Sequence, residues 1–285
     1  MKNISWLSSY PRSGNTWFRI FLSALLSGKK SFTDLNRLHV NISANSRTMF
    51  DDCTGLNSSE LTNNEINNLK PTVYQMLSQE TEELIFVKTH EKYMNNSLGK
   101  PLFPGEISVG SIYIIRNPLD VAVSNAFYFQ MSIDETIHAL NSPTFTLNPQ
   151  SSKLYPVLQE KIGTWSEHVT AWYNSGLNVH FLRYEDLTNN PYTTFSKALD
   201  FLGLHFSDQK IREAILASSF EKLKKTEEKT GFKEKLQKCD QFFRQGKTGN
   251  WKNILTQKQV SRIITKHHKT MQQFGYLDED KKVID

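Results

Sequence analysis

The sequence predicts an α/β fold, a single domain with a central parallel sheet flanked by helices. Several short apolar runs end in a loop and are followed by apolar residues at helical spacing, the pattern of strand-loop-helix units whose strands run parallel. Across 285 residues, apolar side chains make up 38% and aromatics 12%, enough for one large core, while 22% charged residues is ordinary for a globular chain. α/β chains of this length often form one unit, so the domain is expected to span residues 1–285.

The first strand is expected at Ile4–Ser8. Behind it Trp17, Ile20, Phe21, Ala24 and Leu25 recur at helical spacing, and Gly28 suits the residue just past the helix end. Leu84–Val87, Ile112–Ile115 and Val179–Leu182 are short, apolar and flanked by polar or turn residues, so they read as three further strands of a sheet that needs about four to six. Asn41–Asn68, rich in Asn, Ser and Thr, reads as loops and short helices, and Asn141–Ser152, with Pro143 and Pro149, as a loop. Glu221–Lys238 alternates Lys with Glu and reads as a solvated helix or a mobile lid.

The formal charge of +5 is spread among many acids and lacks the concentrated basic footprint of a nucleic-acid binder, so a local anion site fits better. Cys53 and Cys239 stand far apart with no metal-ligand spacing around them, which points away from a disulfide framework or a zinc site and towards a reducing cytoplasm. No apolar run approaches the roughly 20 residues of a membrane span, and Pro11 and Arg12 come too early for a secretory signal. A soluble, cytoplasmic protein is expected.

Between the first strand and its helix lies Ser9-Tyr10-Pro11-Arg12-Ser13-Gly14-Asn15-Thr16-Trp17. Gly14 admits a close backbone approach, Arg12 brings charge, Ser13 and Thr16 bring hydroxyls, and the helix start offers outward amides at the positive end of its dipole. The segment is suited to a phosphate or a sulfate; the alternative is an ordinary capped turn. It lacks the first glycine and the Gly-Lys pair of the nucleotide-triphosphate loop, which disfavours ATP as donor. A second turn, Arg116-Asn117-Pro118-Leu119-Asp120, follows the Ile112–Ile115 run. Asn117 suits the cap and Pro118 the first helical position, and Ser124 lies two helical turns beyond Arg116, where both could serve one anion. The aromatic run Phe127, Tyr128 and Phe129 reads most simply as a core helix, and otherwise as a hint of an apolar or phenolic acceptor.

Six ordered segments together resemble the cytosolic-type sulfotransferases that use 3'-phosphoadenosine 5'-phosphosulfate (PAPS). Tyr10 to Trp17 resembles the family's P-loop-like 5'-phosphosulfate loop, and Ile115 to Ser124 its 3'-phosphate strand-loop-helix. Gly163-Thr164-Trp165 through Trp172, Tyr184-Glu185-Asp186-Leu187, Ser218-Ser219-Phe220-Glu221 and Phe243-Arg244-Gln245-Gly246-Lys247-Thr248-Gly249-Asn250-Trp251-Lys252 follow in the family's order. The resemblance spans nearly the whole chain.

It implies that the amides of Ser13, Gly14, Asn15 and Thr16 cradle the phosphosulfate, with Arg12, where the family carries Lys, beside the transferring group. Trp17, Tyr184, Ser218 and Phe220 correspond to adenine-holding positions, although Trp17 reads equally well as a core residue of the first helix. Arg116, Ser124, Phe243, Arg244, Gln245 and Gly246 correspond to cofactor-binding positions, those other than Phe243 forming the 3'-phosphate site; Gln245 stands where Lys is common and Asn250 where Asp is usual. Lys88-Thr89-His90 matches the family's Lys-x-His, which makes His90 the general base and Lys88, with Arg12, a stabiliser of developing negative charge. The implied reaction is in-line transfer of a sulfuryl group to a hydroxyl or amine of a small molecule or glycan. It needs no metal and leaves adenosine 3',5'-bisphosphate (PAP). A nucleotide kinase and a non-catalytic PAP- or PAPS-binding protein are the alternatives, and the pairing of Lys88 with His90 argues for catalysis. Lys252–Ser261 keeps the Lys and Thr of the family's dimer motif without its Val and Glu, which leaves the oligomeric state open.

Overall fold

The computed structural model describes residues 2–148 and 155–284; residues 149–152 of the expected Asn141–Ser152 loop lie outside them. Strand β1 (Ile4–Ser9) is buried throughout. It leads into α1 (Asn15–Ser27), which ends where Gly28 takes a left-handed φ of 65° and turns its amide to the Ala24 carbonyl. Then come β2 (Ile42–Ser43), α2 (Arg47–Thr54) and α3 (Asn63–Gln79). Helix α3 begins inside the stretch expected to hold only loops and short helices. Thr62 and Glu65 close a reciprocal capping box at its start, and Ile66, Val73, Tyr74 and Leu77 bury one face, so local capping and periodicity override the Asn-rich composition.

β3 (Ile85–Thr89) and β4 (Ser108–Ile115) are the next strands, the latter starting four residues before the expected Ile112. In α4 (Pro118–Phe129) Asn117 caps as expected, its side chain accepting from the Leu119 amide, with Pro118 in the first turn. After α5 (Ile133–Asn141), the short β5 (Thr146–Leu147) pairs antiparallel with β6 (Glu160–Lys161). The remaining elements are α6 (Trp165–Tyr173), β7 (Val179–Arg183), α7 (Tyr184–Asn189), α8 (Pro191–Phe201), α9 (Asp208–Ala217), α10 (Phe220–Thr230) and α11 (Gln257–Gln273).

Five strands form the central parallel sheet in the order β2-β3-β1-β4-β7. Ile4 lies opposite Ile85 and Ser8 opposite Thr89, so β1 and β3 end together, and β2 joins β3 through Ile42 opposite Val87. The four expected strands are present; β2 is too short and polar to stand out in sequence. Strands β1 and β4 are buried on both faces, as in a sheet covered by helices.

The described chain divides into two compact units. The first contains the chain up to Tyr10, Ile42–Tyr113 and Ser142–Phe181; the second contains Pro11–Asn41, Ile114–Asn141 and the chain from Leu182 on. In the first, Trp6 packs edge-on against Tyr74 and Phe103, with centroids 5.0 and 4.9 Å away, and Phe103 packs on Trp172 at 4.8 Å. In the second, Phe21 stacks on Phe195 at 3.8 Å while α1 packs against α9. Aromatic pairs of this kind add about 0.5–1.5 kcal/mol each beyond the area they bury. Among the described residues no helix is long and apolar enough to cross a membrane, and Cys53 and Cys239 are thiols outside any disulfide.

Candidate active site

In the second unit, the chain after β1 turns into α1 through two left-handed residues, Arg12 with φ 64° and Gly14 with φ 108°. A side chain at Gly14 would also collide with Tyr184, whose Cδ2 lies 2.6 Å from where a Cβ would sit. Glycine is thus demanded twice over, by backbone conformation and by the aromatic ring beside it. Gly14 provides no side-chain cap, so the first amides of α1 keep their outward donors. The Ser13 hydroxyl is buried next to them and has no hydrogen-bond partner in the protein, as a loop suited to an anion requires.

Three guanidinium groups belong to the same unit, each laid on an aromatic face. Arg12 is sandwiched between Tyr128 and Phe242, 4.3 and 4.2 Å from the ring centres, and donates to Ser124 Oγ at 3.4 Å and the Phe242 carbonyl at 3.0 Å. Arg116 lies 4.2 Å above Tyr184 and donates to the carbonyls of Arg12 and Lys247. Its Nε is buried without a partner. Arg244 lies 3.7 Å from the centre of the Phe127 ring. Burial lowers the Arg12 pKa to about 10, with repulsion from Arg116 adding to the fall against the opposing influence of Tyr128; Arg244 is lowered by burial and then by Arg116. None of the three meets a carboxylate among the described residues. Guanidinium groups grouped in this way, with no carboxylate to neutralise them, are suited to a multivalent anion. Two of the expected aromatic residues are explained differently: Phe127, 42% exposed, and Tyr128 serve as faces for Arg244 and Arg12 instead of filling a core.

The C-terminal loop is held down by buried carboxylates. Asp120 accepts from the Gly249 amide at 2.7 Å and the Trp251 amide at 3.1 Å, and Glu227 from those of Phe242 and Phe243 at 2.6 and 2.9 Å. Glu227 belongs to the stretch expected to be a solvated helix or lid; α10 ends at Thr230, and its Glu227 points inwards as an anchor. Glu234 from the same stretch pairs with Arg19 at 2.9 Å and accepts from Thr16 Oγ1 at 3.2 Å. Gly246, at φ 62°, leaves 2.2 Å between an added Cβ and the Phe220 ring, so these two are in direct apposition, and Phe243 lies 6.4 Å edge-on to Phe220. Trp17 packs edge-on against Tyr184, and its indole N–H is buried without a protein partner. Ser218 is buried and donates to the carbonyls of Ala214 and Ile215 in its own helix. Asn15 is buried at the start of α1, and Gln245 is exposed.

In the first unit, His90 directly follows β3. Its backbone N–H donates to Glu160 Oε1 at 2.8 Å, and its Nδ1 lies 2.9 Å from the Ser9 carbonyl and 3.2 Å from Ser9 Oγ. A carbonyl can only accept, so Nδ1 carries the proton and the lone pair is on Nε2, the tautomer a general base needs. Glu160 also accepts from Asn45 at 2.8 Å, and beside it the fully buried Lys70 and Glu91 form an ion pair. Lys88 is partly exposed in β3, in register with Leu7 of β1 and Ser43 of β2.

Within the second unit Arg12 meets Ser124, Arg116 meets Arg12 and Tyr184, Tyr184 lies against Gly14 and Trp17, and Phe220 lies against Phe243 and Gly246; Ser13, Thr16 and Arg244 belong to the same unit, while His90 and Lys88 belong to the first. Reading the sequence missed Tyr128 and Phe242 as faces for Arg12, Asp120 and Glu227 as loop anchors, and Glu160 as a partner of His90. Only Asp120, in the first turn of a capped helix within a recognised segment, carried any local signal.

Comparisons with known proteins place the chain in a family. A family model described as a sulfotransferase domain matches residues 2–275. Rat sulfotransferase 1A1 is 27% identical over 278 residues, covering 93% of this chain and 83% of that protein. Flavonol 3-sulfotransferase of Flaveria bidentis is 27% identical, covering 92% and 79%. Among solved structures, the chain has the fold of mouse sulfotransferase SULT7A1 complexed with PAP, with TM-score 0.59 and 19% identity over 95% and 85% of the two chains. It likewise has the fold of retinol dehydratase in a complex with retinol and PAP, with TM-score 0.61 and 20% identity over 100% and 84%. With the family model covering nearly its whole length, the chain belongs to the sulfotransferase family and is a PAPS-dependent enzyme of that class.

Proposed function

We propose that His90 is the general base of this sulfotransferase and that Arg12, Lys88 and the amides of Ser13–Thr16 stabilise the charge that develops on the donor. The observation that carries this reading is the Ser9 carbonyl on His90 Nδ1, which leaves Nε2 as the proton acceptor. PAPS supplies an activated sulfuryl group on a good leaving phosphate; the chain has to orient it, screen its charge and remove the acceptor proton. Ser13 Oγ and Arg116 Nε, buried and without protein partners, support an anion at each end of the nucleotide, with Arg116, Ser124 and Arg244 at its 3'-phosphate. Trp17, Tyr184 and Phe220 supply aromatic faces for the base, Phe243 and Gly246 shape the loop beside Phe220, and Ser218, Asn15 and Gln245 complete the proposed set.

The acceptor in this reading is a small molecule with a hydroxyl or amine, the enzyme is cytoplasmic, and its two compact units work as one catalytic domain. The family model running over both units supports the last point, and the cytosolic relatives support the location. Incubation with labelled PAPS and a panel of phenols, alcohols and amines tests the function. Label transfer to at least one acceptor, abolished in His90→Asn, is the expected result; transfer undiminished in that variant would remove His90 from the role.

A further inference from the structure

The hydrogen bonds that hold His90 by its ring and by its carbonyl each have a forced direction. His168 is fully buried in α6, with Nε2 2.8 Å from the His90 carbonyl and Nδ1 2.7 Å from the Tyr113 hydroxyl. The carbonyl only accepts, so His168 Nε2 carries the proton. Nδ1 of the neutral ring then accepts, and the Tyr113 O–H donates to it. The His90 ring is held at its other end, where the Ser9 carbonyl is the acceptor for Nδ1–H. The hydrogen bonds thus run from the Tyr113 hydroxyl to His168 and from His168 to the His90 carbonyl, while the His90 ring donates to Ser9. Burial keeps His168 neutral, lowering its pKa to about 4, so the direction does not reverse near neutral pH. Tyr10 packs edge-on to the His168 ring at 5.5 Å, which leaves the imidazole little freedom to turn.

We propose that His168, anchored by Tyr113, is a positioning residue that holds His90 by its carbonyl and so keeps the His90 ring against the Ser9 carbonyl in its Nδ1–H form. The inference rests on the reading of His90 as the base. It assigns to the reaction two buried side chains that would otherwise count as core.

The test compares His168→Leu, which fills the space without a donor, with His168→Gln, whose amide can still donate to the His90 carbonyl, and with Tyr113→Phe. A residue that merely packs would favour Leu over Gln in an apolar site, so stability and turnover should rank the two variants in opposite order. Turnover in His168→Leu should fall on the order of 10²-fold, the scale of a displaced catalytic group, with PAP affinity unchanged. His168→Gln should recover most of the loss, and Tyr113→Phe should fall between them. Nitrogen-15 spectra of histidine-labelled protein should show His90 protonated at Nδ1 in the wild type and a mixture of tautomers in His168→Leu. This readout stands without any acceptor and applies equally to Tyr113→Phe if His168 cannot be replaced in a folded protein. Turnover and His90 signals unchanged in His168→Leu, or in Tyr113→Phe if only that variant folds, would overturn the proposal. Run alongside, His90→Asn separates the failures: full turnover in that variant removes the base and the inference with it, whereas an inactive His90→Asn beside a fully active His168→Leu removes the inference alone.

Discussion

The two compact units treat buried charge in opposite ways. In the first, buried polar groups find partners within the fold: Lys70 has Glu91, Glu160 has Asn45 and the His90 amide, and the neutral His168 has an acceptor and a donor. In the second, Arg19 has Glu234, but Arg12, Arg116 and Arg244 lie on aromatic faces with no carboxylate on them among the described residues, while Asp120 and Glu227 spend their oxygens on backbone amides. The first arrangement is finished by folding alone. The second leaves net positive charge at low dielectric, which an anionic ligand relieves. A nucleotide should therefore alter the second unit's stability far more than the first's, and residues of the first should govern rate more than affinity.

The largest test of that contrast is His90→Asn. Turnover should fall roughly 10² to 10⁴-fold, the contribution of a positioned base, while the PAP dissociation constant holds. The wild-type rate with an alcohol should rise with pH as the imidazole loses its proton, and that limb should vanish in the variant. A variant that loses PAP binding as well would break the division between the units.

Acid should destabilise both units through one histidine each. Burial lowers His168 to about 4 and, with a smaller contribution from Lys266, His267 to about 3. The unfolded chain takes up protons at these positions near pH 6.5, whereas the folded chain resists until about 4 and 3, so stability is lost as pH falls through that window. Each histidine contributes a slope of about 1.4 kcal/mol per pH unit once its unfolded form is protonated. Urea midpoints from pH 7 to 4 should show this decline, and His267→Gln should flatten it; an unaltered slope in the variant would mean that His267 is protonated in the folded state.

Arg116→Ala should weaken PAP binding by about 1.5–3 kcal/mol, the loss of a charge-assisted hydrogen bond. Calorimetry should also find PAP bound far more tightly than adenosine 5'-monophosphate in the wild type, with the gap shrinking in Arg116→Ala. Equal affinity for the two nucleotides would sink the 3'-phosphate assignment. The smallest effect is expected from Arg12→Lys, which keeps the charge but cannot stack as a plane between Tyr128 and Phe242. A loss of about 1 kcal/mol or less in PAP affinity, read by the same titration, would show that charge matters more than shape there.

Local rules carried the sequence a long way. Strand β1, the α1 spacing with its Gly28 stop, the Asn117-Pro118 start of α4 and the ordered segments that resemble the sulfotransferases depend on residues near one another in the chain, because period, capping and φ preference are short-range properties. Helix α3 escaped only because attention to composition hid its capping box. By itself the sequence determined the α/β class and marked the turns after β1 and β4, with His90 and Arg116, as candidate site residues. Only the tertiary structure decided what those candidates touch. Arg12 meets Phe242 across 230 positions, Asp120 meets Trp251 across 131 and His90 meets His168 across 78, and no local pattern encodes such pairs. A buried hydrogen bond is set by where two distant backbones are brought by packing, so the tautomer of His90 and the grouping of three arginines are properties of the fold rather than of any one segment.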